Sequence, residues 1–483
     1  TGLNGPRSDA VGSLKLERVH SYNGAAGVRN LHVLHTGELL FSTGAVCVVD
    51  TGLLSYVPRI RAGQNSEENG SSGEKNGSKG GRENGSKGRQ RVFQGHTNTV
   101  TCLALLNNQA RNVVASGQAG ENARVCIWDT QTMALMVTLD ASASHVPAPL
   151  APRPRTFPLP LRTGVAALGF SADGEKLVVL EGGSCATVCV YQDRHPSGEH
   201  LWSMCDMTDA TEVSGHPTCA DFSPFSDALV TAGQFHLTFW EVQEGCLVGR
   251  QGDFGCEEPA ETFLAMVFMD KATTITASES GTIWIWKGLR IARTIARAHV
   301  GPILALATDG SMLMSAGKDE TLAIWNLARD WRVVPPGAVE RGEMLVRELP
   351  LAQTTGVLAH AGVGCVRTLA WQGHTVVVGT AQNQLIAVDD LSAKVTLLVG
   401  GHKGGGLLSG MAMHPLLPWV FTVGDDSLLL ARDLASGRPV GARHMLKERP
   451  KKKVDPLDLI EDPAQRKKAK DKAALLSGGG KEG

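Results

Sequence analysis

A chain of 483 residues with 42% hydrophobic and 20% charged residues has the makeup of an ordinary globular protein, long enough for one large repeat domain or several smaller ones. Its formal net charge of −1 supplies no global field for a polyanion, and no run approaches the roughly 18 apolar residues that span a bilayer, so neither nucleic acid nor membrane is an expected partner. Ten cysteines without a C-x-x-C pair or clustered histidines read as buried thiols rather than a metal site, and 56 glycines announce many tight turns and hence many short strands.

From the N-terminus, residues 1–27 form a leader whose distinctive part is LKLERVHSYNG, Leu14 to Gly24. Residues 1–30 lack the compact apolar core of a secretion signal, so the expected compartment is the cytoplasm. Between Leu31 and Val57 the chain has a strand, turn, strand rhythm without tryptophan. Residues 62–90 contain almost nothing apolar and repeat Asn-Gly-Ser-Lys themes, the mark of a disordered insertion.

From Gly95 the sequence reads GHTNTVTCLALL, NVVAS and RVCIWD, a Gly-His turn and three β-rich runs ending at Trp128-Asp129. Looser copies follow, with Tyr191, Trp240 and Trp286 at the corresponding end position, and a complete one runs from Ala298-His299 to Trp325-Asn326. A further copy runs from GCVRTLAW to QLIAVDD, and Gly401-His402 opens another whose end position is Arg432. Repeats of about 40 to 45 residues with Gly-His near the start and Trp-Asp near the end are blades of four strands each. The expected fold is therefore all-β: a seven-bladed WD40 β-propeller over 28–400, preceded by the leader, followed by an extra partial blade over 401–440 and a basic disordered tail over 441–483.

Recurrent polar residues are assigned a structural role within the blades. His299, Ser315, Asp319 and Trp325 fall at the spacings of a hydrogen-bonded chain that ties the strands of one blade together. His96, Ser116 and Trp128 repeat three of the four, with Asn122 in the aspartate slot. Their blade-by-blade recurrence argues against a catalytic dyad. No G-x-S-x-G elbow, phosphate loop or H-E-x-x-H helix is present, and no enzyme activity, cofactor or metal is expected.

The Pro-rich stretch Val146–Leu161 reads as a stiff excursion between strands, with docking to an SH3-like partner as the alternative. In the tail, Lys451, Lys452 and Lys453 are candidate contacts to an acidic lattice such as the tubulin surface. A solvated tail with no partner is the competing reading.

The leader resembles the hydrophobic, HELP-type motif that precedes the first propeller in the echinoderm microtubule-associated protein-like family. Leu14, Leu16, Glu17, Val19, Tyr22 and Gly24 match it, whereas Arg18 stands where the family usually has Trp and His20 where it has Tyr. SGQAG at Ser116, CIWD at Cys126, GRQGDFG at Gly249 and IWKGLRIARTIARAH at Ile285 are similar to family segments. The resemblance implies a cytoskeletal scaffold binding microtubules or axonemal structures, located in the cytoplasm and, in axonemes, the cilium; a general WD40 interaction scaffold without tubulin affinity is the alternative. It also implies a second propeller, which the chain enters at Gly401-His402.

Overall fold

The structure is a computed structural model that describes residue 16 and residues 18–24, 29–54, 90–106, 112–140, 155–159, 161–183, 185–193, 205–214, 216–243, 246–255, 261–327, 337–339, 344–351, 363–402, 408–434 and 437–445. Nearly all of them are strand or the turns that join strands, as alternating apolar residues and frequent turn residues require.

Eight antiparallel sheets follow one another along the chain, each built by strands in sequence order. The first comprises Leu31–Val33, Leu39–Thr43, Val46–Asp50 and Gln90–Phe93; the second Val100–Leu105, Val113–Gln118, Arg124–Asp129 and Leu135–Asp140. The third comprises Val165–Phe170, Lys176–Glu181, Cys185–Asp193 and Cys205–Ser214; the fourth His216–Phe222, Leu229–Gln234, His236–Gln243 and Cys246–Gln251. The fifth is Phe263–Phe268, Thr273–Ser278, Ile283–Lys287 and Arg290–Ile295; the sixth Ile303–Thr308, Met312–Gly317, Thr321–Asn326 and Leu345–Pro350. Val366–Gln372, Thr375–Thr380, Leu385–Asp389 and Val395–Val399 make the seventh, and Leu408–Met413, Trp419–Gly424, Leu428–Asp433 and Pro439–His444 the eighth. This is the architecture of a WD40 β-propeller.

Apolar residues on both faces of each sheet explain how the sheets stack. One buried cluster joins the first and second sheets through Leu40, Phe93, Val114 and Trp128, and the next joins the second and third through Ile127, Leu139, Leu168 and Tyr191. The series continues sheet by sheet to the seventh. A last cluster packs Val377, Leu385 and Ala387 of the seventh sheet against Leu31, Leu39 and Phe41 of the first, closing a circle. The eighth sheet has only its own small cluster around Leu428 and Leu430.

Two sheets gain a fifth, parallel strand from a long connection. Arg155–Pro158, within the Pro-rich stretch, pairs with Leu135–Asp140, and Gly337–Val339 pairs with Arg290–Ile295. The end of the Pro-rich stretch thus adds an edge strand to the second sheet, while residues 146–154 lie outside the described residues.

Two boundaries and the completeness of one unit differ from those read in the sequence. Gln90 opens the last strand of the first sheet, so the polar insertion does not reach it; its side chain is held by Val19 and Asp50. The eighth unit is a complete four-stranded sheet rather than a partial blade, and it runs to His444 rather than 440. It was under-read because Arg432 replaces the tryptophan that marks a blade's end, while main-chain pairing needs no such marker. The insertion through residue 89, and the tail from 446 onward with Lys451, Lys452 and Lys453, lie outside the described residues.

Candidate functional site

In the sixth sheet the His299 ring is fully enclosed, with Nε2 2.7 Å from Ser315 Oγ and Nδ1 2.9 Å from Asp319. The Trp325 indole N–H donates to the same Ser315 oxygen at 2.7 Å. Asp319 also accepts from Thr321 Oγ1 and from the Val300 amide. Burial alone would raise its pKa, but the His299 hydrogen bond and charge win and hold the carboxyl down to about 2. One chain therefore ties two strands to the turn between them and to the segment before the sheet. A histidine with no exposed edge cannot meet a substrate.

The second sheet repeats this with a change. His96 Nε2 lies 2.6 Å from Ser116 Oγ, and Trp128 donates to that oxygen at 3.0 Å while its ring stacks on Phe93 at 4.4 Å. Nδ1, however, faces Gln118 Oε1 at 3.2 Å, and Gln118 is held in turn by the Asn122 carbonyl. The aspartate's role thus passes to Gln118, and the Asn122 side chain does not enter. With no carboxylate partner, burial pushes His96 down to about 4. The fourth sheet builds a local version that the sequence did not reveal: His236, in the hairpin itself, bonds Thr231 Oγ1 at 2.7 Å, and Trp240 donates to the same oxygen at 2.8 Å. Burial again takes the imidazole down to about 4.

In the eighth sheet His402 pairs with Asp426 and Thr422, both at 3.0 Å, but Arg432 occupies the tryptophan position. Its buried guanidinium donates to the main-chain carbonyls of Gly400 and His20. The leader therefore meets the eighth sheet. Arg18 packs on Gly437 of the same sheet, so both residues that depart from the family pattern lie against it.

The leader continues into the seam between the first and seventh sheets. Val19 exchanges two main-chain bonds with the Gln90 side chain at 2.8 and 3.1 Å. Tyr22 is buried among Leu39, Phe41 and Ala387, donates to Asn30 Oδ1 at 2.6 Å and reaches Thr368 across the seam at 3.4 Å. Burial lifts its phenol to about 12, so the hydroxyl stays a donor. Gly24 donates to Asn383 Oδ1, and a Cβ there would stand 1.7 Å from the Thr380 carbonyl, which admits only glycine. Leu16 is exposed, while Leu14 and Glu17 lie outside the described residues.

First strands of the first seven sheets line a cavity of about 820 Å³, with Leu31, Leu103, Leu168, Asp221, Met266, Leu306 and Leu369 each contributing from a different one. Arg29, at the leader's end, crosses it. Its guanidinium donates to Asp221 of the fourth sheet and to the Met266 carbonyl of the fifth, and its own carbonyl accepts from Leu103 of the second. Burial raises the Asp221 carboxyl while the Arg29 charge opposes it. The backbone of Arg29 is left-handed, φ 56°, a conformation non-glycine residues hold only when the surroundings enforce it. Among the described residues no group of three or more His, Cys, Asp or Glu could hold a metal, and no helix is long and apolar enough to cross a membrane.

The family model for the WD domain, G-beta repeat, matches residues 87–129, which hold the last strand of the first sheet and the first three strands of the second. The chain is 26% identical over 472 residues to echinoderm microtubule-associated protein-like 1 of Rattus norvegicus, covering 94% of this chain and 45% of the relative. It is 24% identical over 473 residues to echinoderm microtubule-associated protein-like 2 of Homo sapiens, covering 94% and 57%, and 25% identical over 449 residues to the 77 kDa echinoderm microtubule-associated protein of Lytechinus variegatus, covering 89% and 54%. The chain spans about half the length of the curated relatives it matches. With the repeat, the buried tetrads and the leader in place, the chain is similar over most of its length to echinoderm microtubule-associated protein-like proteins and carries a WD repeat.

Proposed function

We propose that the chain is a non-enzymatic cytoskeletal scaffold that binds microtubules, axonemal ones included, through a seven-bladed WD40 propeller to which the eighth sheet is appended. The circle of seven packed seams supports that blade count, and enclosure of the tetrad histidines supports the absence of catalysis. One observation carries the microtubule reading: similarity to relatives named for microtubule association extends over 94% of the chain. The expected location is the cytoplasmic cytoskeleton. Lys451, Lys452 and Lys453 supply a screened electrostatic component against acidic tubulin.

Co-sedimentation of the purified chain with polymerised tubulin across a salt series tests this. The bound fraction falls as salt rises, and exchange of the three lysines for glutamate flattens that dependence. A chain that stays in the supernatant even at low salt overturns the proposal.

A second reading, a general WD40 scaffold without tubulin affinity, draws on a groove of about 840 Å³ between the third and fourth sheets. Phe235 stands exposed at its edge with φ 52°, a conformation costly for an aromatic residue. Recovery of a stable non-tubulin complex that Phe235→Asp abolishes favours this reading.

A further inference from the structure

Two outer strands of the ring are covered by the chain itself. Arg155–Pro158 lies parallel on Leu135–Asp140 of the second sheet, and Gly337–Val339 lies parallel on Arg290–Ile295 of the fifth. Both covering strands are short, and both come from segments interrupted by proline: Pro152, Pro154, Pro158 and Pro160 around the first, Pro335 and Pro336 before the second. Proline holds its neighbour extended and cannot donate, so such a segment suits an outermost position, where one side of the strand needs no partner.

The fourth sheet has the same kind of outer strand, Cys246–Gln251, and among the described residues no fifth strand pairs with it. Every residue of it but Leu247 is exposed, Val248 to 40%. It belongs to the closed ring, in the middle of the chain. Exposed edges are ordinarily blunted by charge or proline, because their free N–H and C=O groups recruit other strands. Leu345–Pro350, the outer strand of the sixth sheet, carries Arg347, Glu348 and Pro350, and in the first sheet Arg91 bonds Glu38 and the Thr130 carbonyl. Cys246–Gln251 carries one charge, Arg250.

Beside this edge runs the groove of about 840 Å³ between the third and fourth sheets. Leu247, Gly249 and Gln251, alternate residues of the strand, line it together with Trp240, and Glu212 and Val213 of the third sheet stand across. Side chains of an added strand alternate in the same way, so every second one enters the groove while the main chain extends the ladder. Glu212 is the only acidic residue among the described lining, and no Lys or Arg joins it there. Its contact with Arg162 is 3.8 Å long between two exposed side chains, too weak to cancel its charge. The groove therefore favours a basic segment over an acidic one, and the strand that covers the second sheet is basic too, with Arg153 and Arg155 among its prolines.

On the reading of this groove as a protein-binding surface, we propose that Cys246–Gln251 receives a basic, proline-flanked extended segment of a partner protein as a parallel fifth strand. Alternate side chains of that segment enter the groove beside Trp240, and its basic residue meets Glu212.

Fluorescence anisotropy of a labelled synthetic peptide with the sequence of residues 151–161, APRPRTFPLPL, titrated with the full chain, tests this, with amide hydrogen exchange at residues 246–251 measured alongside. The expected result is saturable binding that protects those amides and weakens as salt rises. Cys246→Lys with Val248→Lys blunts the edge and lowers the affinity at least about tenfold. Both side chains are exposed, so an unchanged circular dichroism spectrum accompanies that loss. Glu212→Lys weakens binding as well and removes its salt dependence. Absence of saturation up to about 1 mM peptide overturns the proposal. Protection of residues 246–251 before peptide is added does so too, because another part of the same chain then covers the edge. Binding that survives the double lysine exchange also overturns it, since the peptide has then displaced its own counterpart on the second sheet. A non-tubulin complex lost with Phe235→Asp but kept by the double lysine variant leaves the scaffold function standing and overturns the strand addition alone.

Discussion

The guanidinium of Arg432, in the eighth sheet, donates to the main-chain carbonyl of His20, 412 positions earlier in the chain. The position that holds tryptophan in a complete tetrad, where the indole N–H ties two strands of one sheet, here ties the sheet to the leader. Leader and eighth sheet consequently share one anchoring group, and seating one seats the other.

Removing that group leaves the His20 and Gly400 carbonyls without their donor, at about 1 to 3 kcal/mol for each that stays dry. Against this, burial without a carboxylate lowers Arg432 to about 10, a penalty on the charged form on the order of 3 kcal/mol. The two effects nearly cancel. Arg432→Met is therefore expected to shift the global melting temperature by only a few degrees while the amides of Val19, Asn23 and Gly24, which are bonded in the seam, exchange much faster. A large loss of global stability with leader amides still protected contradicts the coupling.

Ser315 accepts from Trp325 and contacts His299 in one buried site. Ser315→Ala strands both partners, and a loss of about 2 to 4 kcal/mol is expected from denaturant unfolding. Asp319→Asn keeps an acceptor for the histidine and loses only the charge, so it should cost clearly less. A cycle of His299 and Asp319 substitutions should give a coupling energy of about 1 to 3 kcal/mol, and additivity speaks against a single network.

Acid acts on the tetrads in two windows. His96 and His236 are pushed down to about 4 in the fold, below the ordinary histidine value of 6.5, so the unfolded chain takes up protons first. Their contribution is complete above pH 6.5 and falls as pH drops toward about 4, by about 1.4 kcal/mol per pH unit for each ring. Asp319, held to about 2 against 3.8, adds a loss that begins only below about pH 4. Burial lowers His20 and His32 as well, so stability measured from pH 7 to 4.5 should decline with a slope to which His96 and His236 each add up to about one proton, and His96→Gln should reduce that slope by about one. An unchanged slope in that variant removes His96 as a source.

The blades were legible because a tetrad leaves marks at fixed spacing: His299, Ser315, Asp319 and Trp325 could be read directly, and the sheet lies where they do. Gln118 was missed because it occupies a strand position that carries no signal, and only the fold shows its amide nearer His96 than Asn122 is. His236 was missed because it opens the strand that carries Trp240, four positions before it, instead of opening its repeat. The apolar, aromatic character of the leader was visible in Val19 and Tyr22, but the partners that make it a seam, Gln90, Asn383 and Arg432, are spread over the whole chain. No local pattern encodes a meeting of residues so far apart.

Arg29 and Asp221 face one another across the cavity, their side chains 31% and 26% exposed. Asp221→Asn leaves the guanidinium without a counter-charge but keeps the Met266 carbonyl as acceptor, and a loss on the order of 2 to 3 kcal/mol is expected. Neutralising both, with Arg29→Met and Asp221→Leu, removes the charge imbalance and should recover much of that loss, because replacing a buried pair costs less than breaking it. Equal destabilisation by the single and double changes argues that the pair does not act as a unit.

Gly24 tests the seam most directly, since the Thr380 carbonyl occupies the place of its missing side chain. Gly24→Ala cannot be absorbed by rotating a flexible group, because the obstacle is main chain of the seventh sheet. The leader must lift, taking the Tyr22 hydroxyl away from Asn30 and exposing a ring now buried against Phe41. Tyr22→Phe removes only the hydroxyl and its bond, about 1 kcal/mol, and leaves the ring in place. The expected order of destabilisation is thus Gly24→Ala well above Tyr22→Phe, with the alanine variant alone opening residues 18–24 to proteolysis. If the alanine variant resists protease as the parent does, the leader is not wedged between the first and seventh sheets.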